Sequence, residues 1–144
     1  MQQTTWKQLI QLLLLFGKLE NNHLENCLDL CSSSVQRLRT TPSSMKLKQF
    51  EKIAKLASNR GCTISLKIGK LTIHSWNYNN IVRMCDNEFK IGFKELSERL
   101  GLKYQAFYKR LQRNSISLMQ LNKTIEAFGQ DLIFSINGNK YLIK

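Results

Sequence analysis

A chain of 144 residues has room for one domain or two small ones, and with 42% apolar residues it is too hydrophobic to be intrinsically disordered. Its formal net charge of +12 makes a polyanion the expected partner, nucleic acid before an anionic membrane. The apolar run Leu9 to Phe16 is too short to span a bilayer, carries Gln8 and Gln11 beside and within it, and lacks a basic leader and a small-residue cleavage site, so a buried helix is expected rather than a signal or a membrane anchor.

Thr4 or Thr5 caps a helix from Trp6 to about Phe16, stopped at Gly17. Trp6, Leu9, Ile10, Leu13, Leu14 and Phe16 form a wide apolar face, and Leu12 and Leu15 leave little of the circumference polar. Such a helix belongs at the centre of a core or against a partner chain. Asn22 caps a second helix, His23 to about Leu30, with Leu24, Cys27, Leu28 and Leu30 inward. Ser32-Ser33-Ser34 reads as a turn and cap before a short basic helix, Val35 to Arg39. Pro42, the only proline, breaks the chain. Ser43 or Ser44 caps a fourth helix burying Leu47, Phe50, Ile53, Ala54, Leu56 and Ala57, which ends at Arg60-Gly61. Ile64, Leu66 and Ile68 then alternate with Ser65 and Lys67, and Leu71 and Ile73 with Thr72. Two alternating runs about Gly69-Lys70 predict a β-hairpin.

After a polar-aromatic junction, Ser75 to Asn79, the order recurs. Helices are expected at Asn80 to about Asn87, Phe93 to Leu100 and Lys103 to Arg113, and from the Ser117 cap to Phe128-Gly129. The final DLIFSINGNKYLIK alternates around Asn137-Gly138, a strong two-residue hairpin turn. Leu24 and Leu28 fall where Leu96 and Leu100 fall, Arg37-Leu38 matches Arg110-Leu111, and Leu47 and Phe50 match Leu118 and Leu121. Four helices and a hairpin thus occur twice at a spacing of about 70 residues. The expected fold is mainly α with small β (α+β): two tandem helix-turn-helix bundles, each followed by a β-hairpin, in domains 1–75 and 76–144.

Little in the chain points to chemistry. His23, Cys27 and Cys31 share a helix face at i, i+4 and i+8, but no fourth ligand has a credible spacing, so no metal is expected. The four cysteines form no extracellular framework and are read as reduced, buried thiols. Glu95 and Glu98 are flanked by Lys94 and Arg99, as on any solvated helix face. Cys85 has no neighbouring histidine, and there is no phosphate-cradling glycine motif. An enzyme, a catalytic residue and a cofactor are therefore not expected.

The stretch Phe93 to Gly129 is more specific. A periodic segment ends at Leu100-Gly101, and a basic, aromatic one begins at once with Lys103-Tyr104-Gln105, carrying Ala106, Phe107 and Leu111 as its inward residues. No acid occurs between Glu98 and Glu126. A glycine between two short helices, the second basic, fits a helix that reads DNA.

On Leu96, Leu100-Gly101-Leu102, Phe107 and the run Ser117, Leu118, Leu121, Ile125, Phe128-Gly129, this segment resembles the phage-repressor-like (Cro/repressor, lambda-repressor-like) helix-turn-helix family. Ser97 stands where that family often has alanine. The first half resembles it less, with Cys31 and three serines around its turn. The resemblance implies that Lys103, Tyr104, Gln105, Tyr108 and Lys109 enter the major groove, while Lys103, Lys109, Arg110 and Arg113 clamp phosphates. Gln105 suits an adenine edge. The analogous residues of the first half are Ser33, Ser34, Gln36, Arg37 and Arg39.

The expected function is sequence-specific binding of double-stranded DNA as a transcriptional regulator, a repressor of phage or mobile-element type, working in the cytoplasm or on the nucleoid. The alternative is an adaptor or inhibitor that uses the helix-turn-helix as a scaffold against a protein such as a host polymerase or nuclease. The hairpins or the helix 6–16 are the expected pairing devices, in a homodimer or in an intramolecular pseudo-dimer of the two repeats.

Overall fold

The computed structural model describes residues 1–144. Strand β1 (Gln2–Thr4) leads into α1 (Trp6–Phe16), α2 (Asn21–Leu28) and α3 (Ser32–Thr40), then a 3-10 turn at Pro42–Ser44, α4 (Leu47–Asn59), β2 (Ile64–Ile68) and β3 (Leu71–Ile73). The second half runs α5 (Tyr78–Phe89), α6 (Phe93–Arg99), α7 (Tyr104–Arg113), α8 (Leu118–Ala127), β4 (Leu132–Ile136) and β5 (Asn139–Ile143). The architecture is α+β: eight helices and one mixed sheet of five strands in the order β1-β5-β4-β2-β3.

Helix starts follow local capping chemistry. The Thr5 hydroxyl accepts from Gln8 N at 3.2 Å, and the Gln8 amide oxygen accepts from Thr5 N at 3.0 Å, so α1 opens with two satisfied donors. Ser117 and Gln120 repeat the device at α8, at 3.2 and 2.9 Å. At α2 the reciprocal acceptor is His23 Nδ1, 2.9 Å from Glu20 N, which moves the helix start to Asn21 rather than His23.

Several expectations are corrected. Ser32-Ser33-Ser34 is no turn: these residues form the first helical turn of α3 with Cys31 as its N-cap, so the helix is nine residues long rather than the short Val35 to Arg39. Serine favours caps, yet its cost in a first turn is small because the backbone donors there are free. Ser43 and Ser44 lie in the 3-10 turn, and Lys46 precedes α4 with its N–H bonded to Gln49 Oε1 at 2.9 Å. β1 is a strand that the sequence pattern does not predict. Leu15 is 70% exposed and Phe16 is exposed too, so α1 is not buried all round and leaves apolar side chains facing solvent.

The hairpins are not separate. β2 pairs antiparallel with β4, Ile64 against Ile136, Leu66 against Phe134 and Ile68 against Leu132. β1 adds itself parallel to β5, with Gln2 against Tyr141 and Thr4 against Ile143. Away from the sheet the halves also meet at a single antiparallel bridge, Lys46 against Ser117. There Leu47 N donates to Ile116 O and Leu118 N to Met45 O, both at 2.9 Å.

One core serves both halves. Phe134 lies 5.6 Å from Trp6, 5.5 Å from Phe50 and 5.7 Å from Trp76, each edge-on, so residues of α1, α4 and the junction close on a strand of the second half. Edge-on contacts between buried rings add to the apolar burial itself. No helix is long and apolar enough to cross a membrane.

Candidate functional site

α6 and α7 are joined by a short, well-bonded turn. Leu102 N donates to Ser97 O at 2.9 Å and Gly101 N to Glu98 O at 3.0 Å, with Gly101 at φ 69°. That left-handed conformation costs a side chain, which glycine avoids. Ser97 is buried, and its hydroxyl is satisfied by Lys94 O at 2.7 Å. The serine is therefore buried without leaving an unpaired polar atom.

α7 starts after Lys103 and is anchored on one side only. Phe107 is fully buried and meets Phe93 edge-on at 5.7 Å; Leu111, one turn later, is 2% exposed. The spacing i, i+4 puts both on one face, and the opposite face is left to solvent. Lys103, Tyr104, Gln105, Tyr108, Lys109 and Arg113 are all exposed. Tyr104 and Tyr108 stack on each other at 6.3 Å, 48% and 42% exposed, forming an aromatic ledge beside Gln105. The end of α7 is fixed by Asn114, whose Oδ1 accepts from Tyr78 N at 2.7 Å at the start of α5.

Two residues depart from expectation. Ala106, expected inward, is exposed, because Phe107 and Leu111 take the buried stripe and residue 106 is turned away from it. Arg110 is half-buried and sits near the Tyr78 hydroxyl, so it is less free to reach outward than the exposed Lys109 and Arg113. Burial pushes the Tyr78 phenol up; the bond to Thr124 and the Arg110 charge oppose that shift.

The corresponding residues of the first half lie on α3. Gln36 and Arg37 are exposed, on the side away from buried Val35. Ser33 and Ser34 are turned toward the helix cap, 3.2 and 3.3 Å from Cys31 Sγ. Arg39 is half-buried and bonded to Asn21 Oδ1, so it braces α2 against α3. The sequence carries a signal for this helix too: no acid occurs between Asp29 and Glu51, a second acid-free run that spans α3 as the first spans α7.

The cysteines are not a uniform buried set. Cys62 and Cys85 are buried, and burial pushes both thiols up, Cys85 to about 12. Cys31 is exposed, and the hydroxyl of Ser33, then that of Ser34, lowers it to about 7. Cys27 is half-buried and donates to Lys52 O at 3.6 Å, while His23 Nδ1 is taken by the cap of α2. His, Cys, Asp and Glu side chains nowhere gather in a group of three that would hold a metal.

No protein-family model, curated protein or solved structure matches this chain.

What α3 and α7 offer a partner is their exposed faces. The face of α7 combines exposed cations, side-chain amides and flat rings on one helix. Its geometry includes no nucleophile paired with a base.

Proposed function

We propose that this chain binds double-stranded DNA sequence-specifically, as a transcriptional regulator of phage or mobile-element type, with α6–α7 and α2–α3 as two helix-turn-helix units. The observation that carries this reading is the exposed face of α7. It presents Lys103, Tyr104, Gln105, Tyr108 and Lys109, holds no acid, and is pinned from behind by Phe107 and Leu111. In this reading the N-terminal part of α7 enters the major groove. Gln105 pairs with an adenine edge, Tyr104 and Tyr108 cover thymine methyls or phosphates, and Lys109 and Arg113 hold the backbone. The mechanism is occupancy: the bound protein blocks or recruits, and no bond is made or broken.

Selection from a pool of random duplexes tests it. An enriched motif is expected. Gln105→Ala and Tyr104→Ala should erase part of that motif, whereas Arg113→Ala should weaken all sequences evenly and lower the slope of log affinity against log salt by about 1. An unenriched pool, with a stoichiometric protein partner bound through α7 instead, sinks the proposal in favour of an adaptor.

A further inference from the structure

We infer that one copy of this chain reads two DNA half-sites in inverted orientation, and that the two half-sites differ in sequence; this rests on the DNA-binding reading above. The register of the structure carries the inversion. In the β2–β4 pair, Leu66 faces Phe134, and Ile64 faces Ile136 as Ile68 faces Leu132. The strand openings correspond, Ile64 with Leu132, as do the strand ends, Ile68 with Ile136. The pairing is therefore unchanged when the halves are exchanged, which defines a local two-fold axis through Leu66 and Phe134.

The bridge beside α4 and α8 has the same property. Lys46 and Ser117 are both the residue before their helix. The two bonds across it, Leu47 N to Ile116 O and Leu118 N to Met45 O, exchange into one another when the halves are swapped. Two separate contacts, one in the sheet and one among the helices, thus each pair equivalent residues of the two halves, as one two-fold through both would.

The candidate reading helices start alike in the two halves. α3 and α7 are capped by Cys31 and Lys103, and preceded by left-handed turns at Asp29 and Gly101. Leu30 N donates to Glu25 O as Leu102 N donates to Ser97 O. Each helix then ends a few residues before the bridge, α3 through Pro42–Ser44 and α7 through Asn114. A two-fold rotation leaves directions along its axis unchanged, so both helices look the same way along it. The same rotation reverses directions across the axis. A duplex that meets both helices therefore presents inverted half-sites, mirroring the protein symmetry. Direct repeats would need a translation, which neither contact provides.

The side chains break the symmetry that the backbone keeps. Opposite Lys103, Tyr104 and Gln105 stand Cys31, Ser32 and Ser33; opposite Tyr108 and Lys109 stand Gln36 and Arg37. The α7 side offers long cations and rings, and the α3 side offers short hydroxyls with one amide and one guanidinium. Equal half-sites are excluded by that difference. Most of the phosphate anchoring falls on the α7 side.

The test uses the full chain and the random-duplex selection, followed by native mass spectrometry on the enriched duplex. The expected result is two unlike motifs in inverted orientation, centred about one helical turn apart, with one chain per duplex. Gln105→Ala should erase only the stronger motif and weaken binding about 5- to 150-fold. Gln36→Ala with Arg37→Ala should erase only the weaker motif. Both sites are exposed, so the fold is retained. Inserting about five base pairs at the centre should leave one half-site bound, since the second then lies on the far side of the duplex. A single motif, direct repeats, or two chains per duplex overturns the inference while leaving DNA binding intact. No enrichment at all removes the DNA-binding reading and the inference with it.

Discussion

Gly101 and Asp29 hold the same turn with different chemistry. Both are left-handed, at φ 69° and 55°, and both precede an exposed helix. Glycine adopts that backbone freely, whereas aspartate does so at a cost that its short polar side chain only partly offsets. A similar contrast lies in the core. Trp6 and Tyr78 both open the first long helix of their half. The Tyr78 hydroxyl donates to Thr124 Oγ1 at 2.9 Å, because the Thr124 proton is already given to Gln120 O at 2.8 Å. Trp6 Nε1 is buried with no partner, and the indole is held by its rings instead. The second half satisfies its local chemistry more completely. The first half keeps the same backbone through shared packing, and it is the half whose exposed helix is short of charge.

The shared core gives the sharpest way to break this comparison. Phe134 is nearly inaccessible and lies among Trp6, Phe50 and Trp76, so Phe134→Ala should cost about 3–5 kcal/mol. Calorimetry should show one transition in both proteins, with the variant melting at a lower temperature. Two transitions, with the first half unaffected, would mean that the halves fold independently.

The turns supply a paired test of about 1–2 kcal/mol each way. Gly101→Ala should destabilise, although a Cβ there meets nothing within 4 Å, because the penalty is in the backbone. Asp29→Gly should stabilise by relieving the same penalty. Urea midpoints read both, and equal signs for the two substitutions would dissolve the equivalence of the turns.

The smallest effect is at Cys31. A thiol at about 7 is half thiolate near neutral pH, and the thiolate is the reactive form. Alkylation by iodoacetamide should start at Cys31, slow as pH falls below 7, and slow at pH 7 when Ser33 and Ser34 are both replaced by alanine. Cys85, buried and pushed up to about 12, should stay unmodified in the folded protein. Faster labelling of Cys27 than of Cys31 would contradict the hydroxyl contacts.

Local patterns in the chain were informative where one face alone decides. Phe107 and Leu111 at i, i+4, the Gly101 turn, the Ser117 cap and the alternation around Asn137-Gly138 each mark their element, because a short window contains the whole signal. Ser32-Ser33-Ser34 misleads because cap preference is also local, while the start of α3 is set by its packing on α2 and α1. β1 is invisible because Gln2 and Gln3 are polar and exposed, and only the edge of β5 makes them a strand. Ala106 reads as inward because it is apolar, yet it lies a step round the helix from Phe107 and is exposed, while Arg110, three residues after Phe107, is half-buried beside that stripe.

By itself the sequence determined the helices and hairpins, their repeated order, the basic acid-free face from Lys103 to Arg113 and its excess of charge. Periods of 3.6 and 2, caps and turn residues act over a few positions and need no partner. Only the tertiary structure decided that β2 pairs with β4, that β1 joins β5, and that Lys46 meets Ser117. Strand edges offer the same backbone donors and acceptors to any partner, so their choice is made by the packing of Phe134 and its neighbours from both halves. That choice joins the two halves in one sheet.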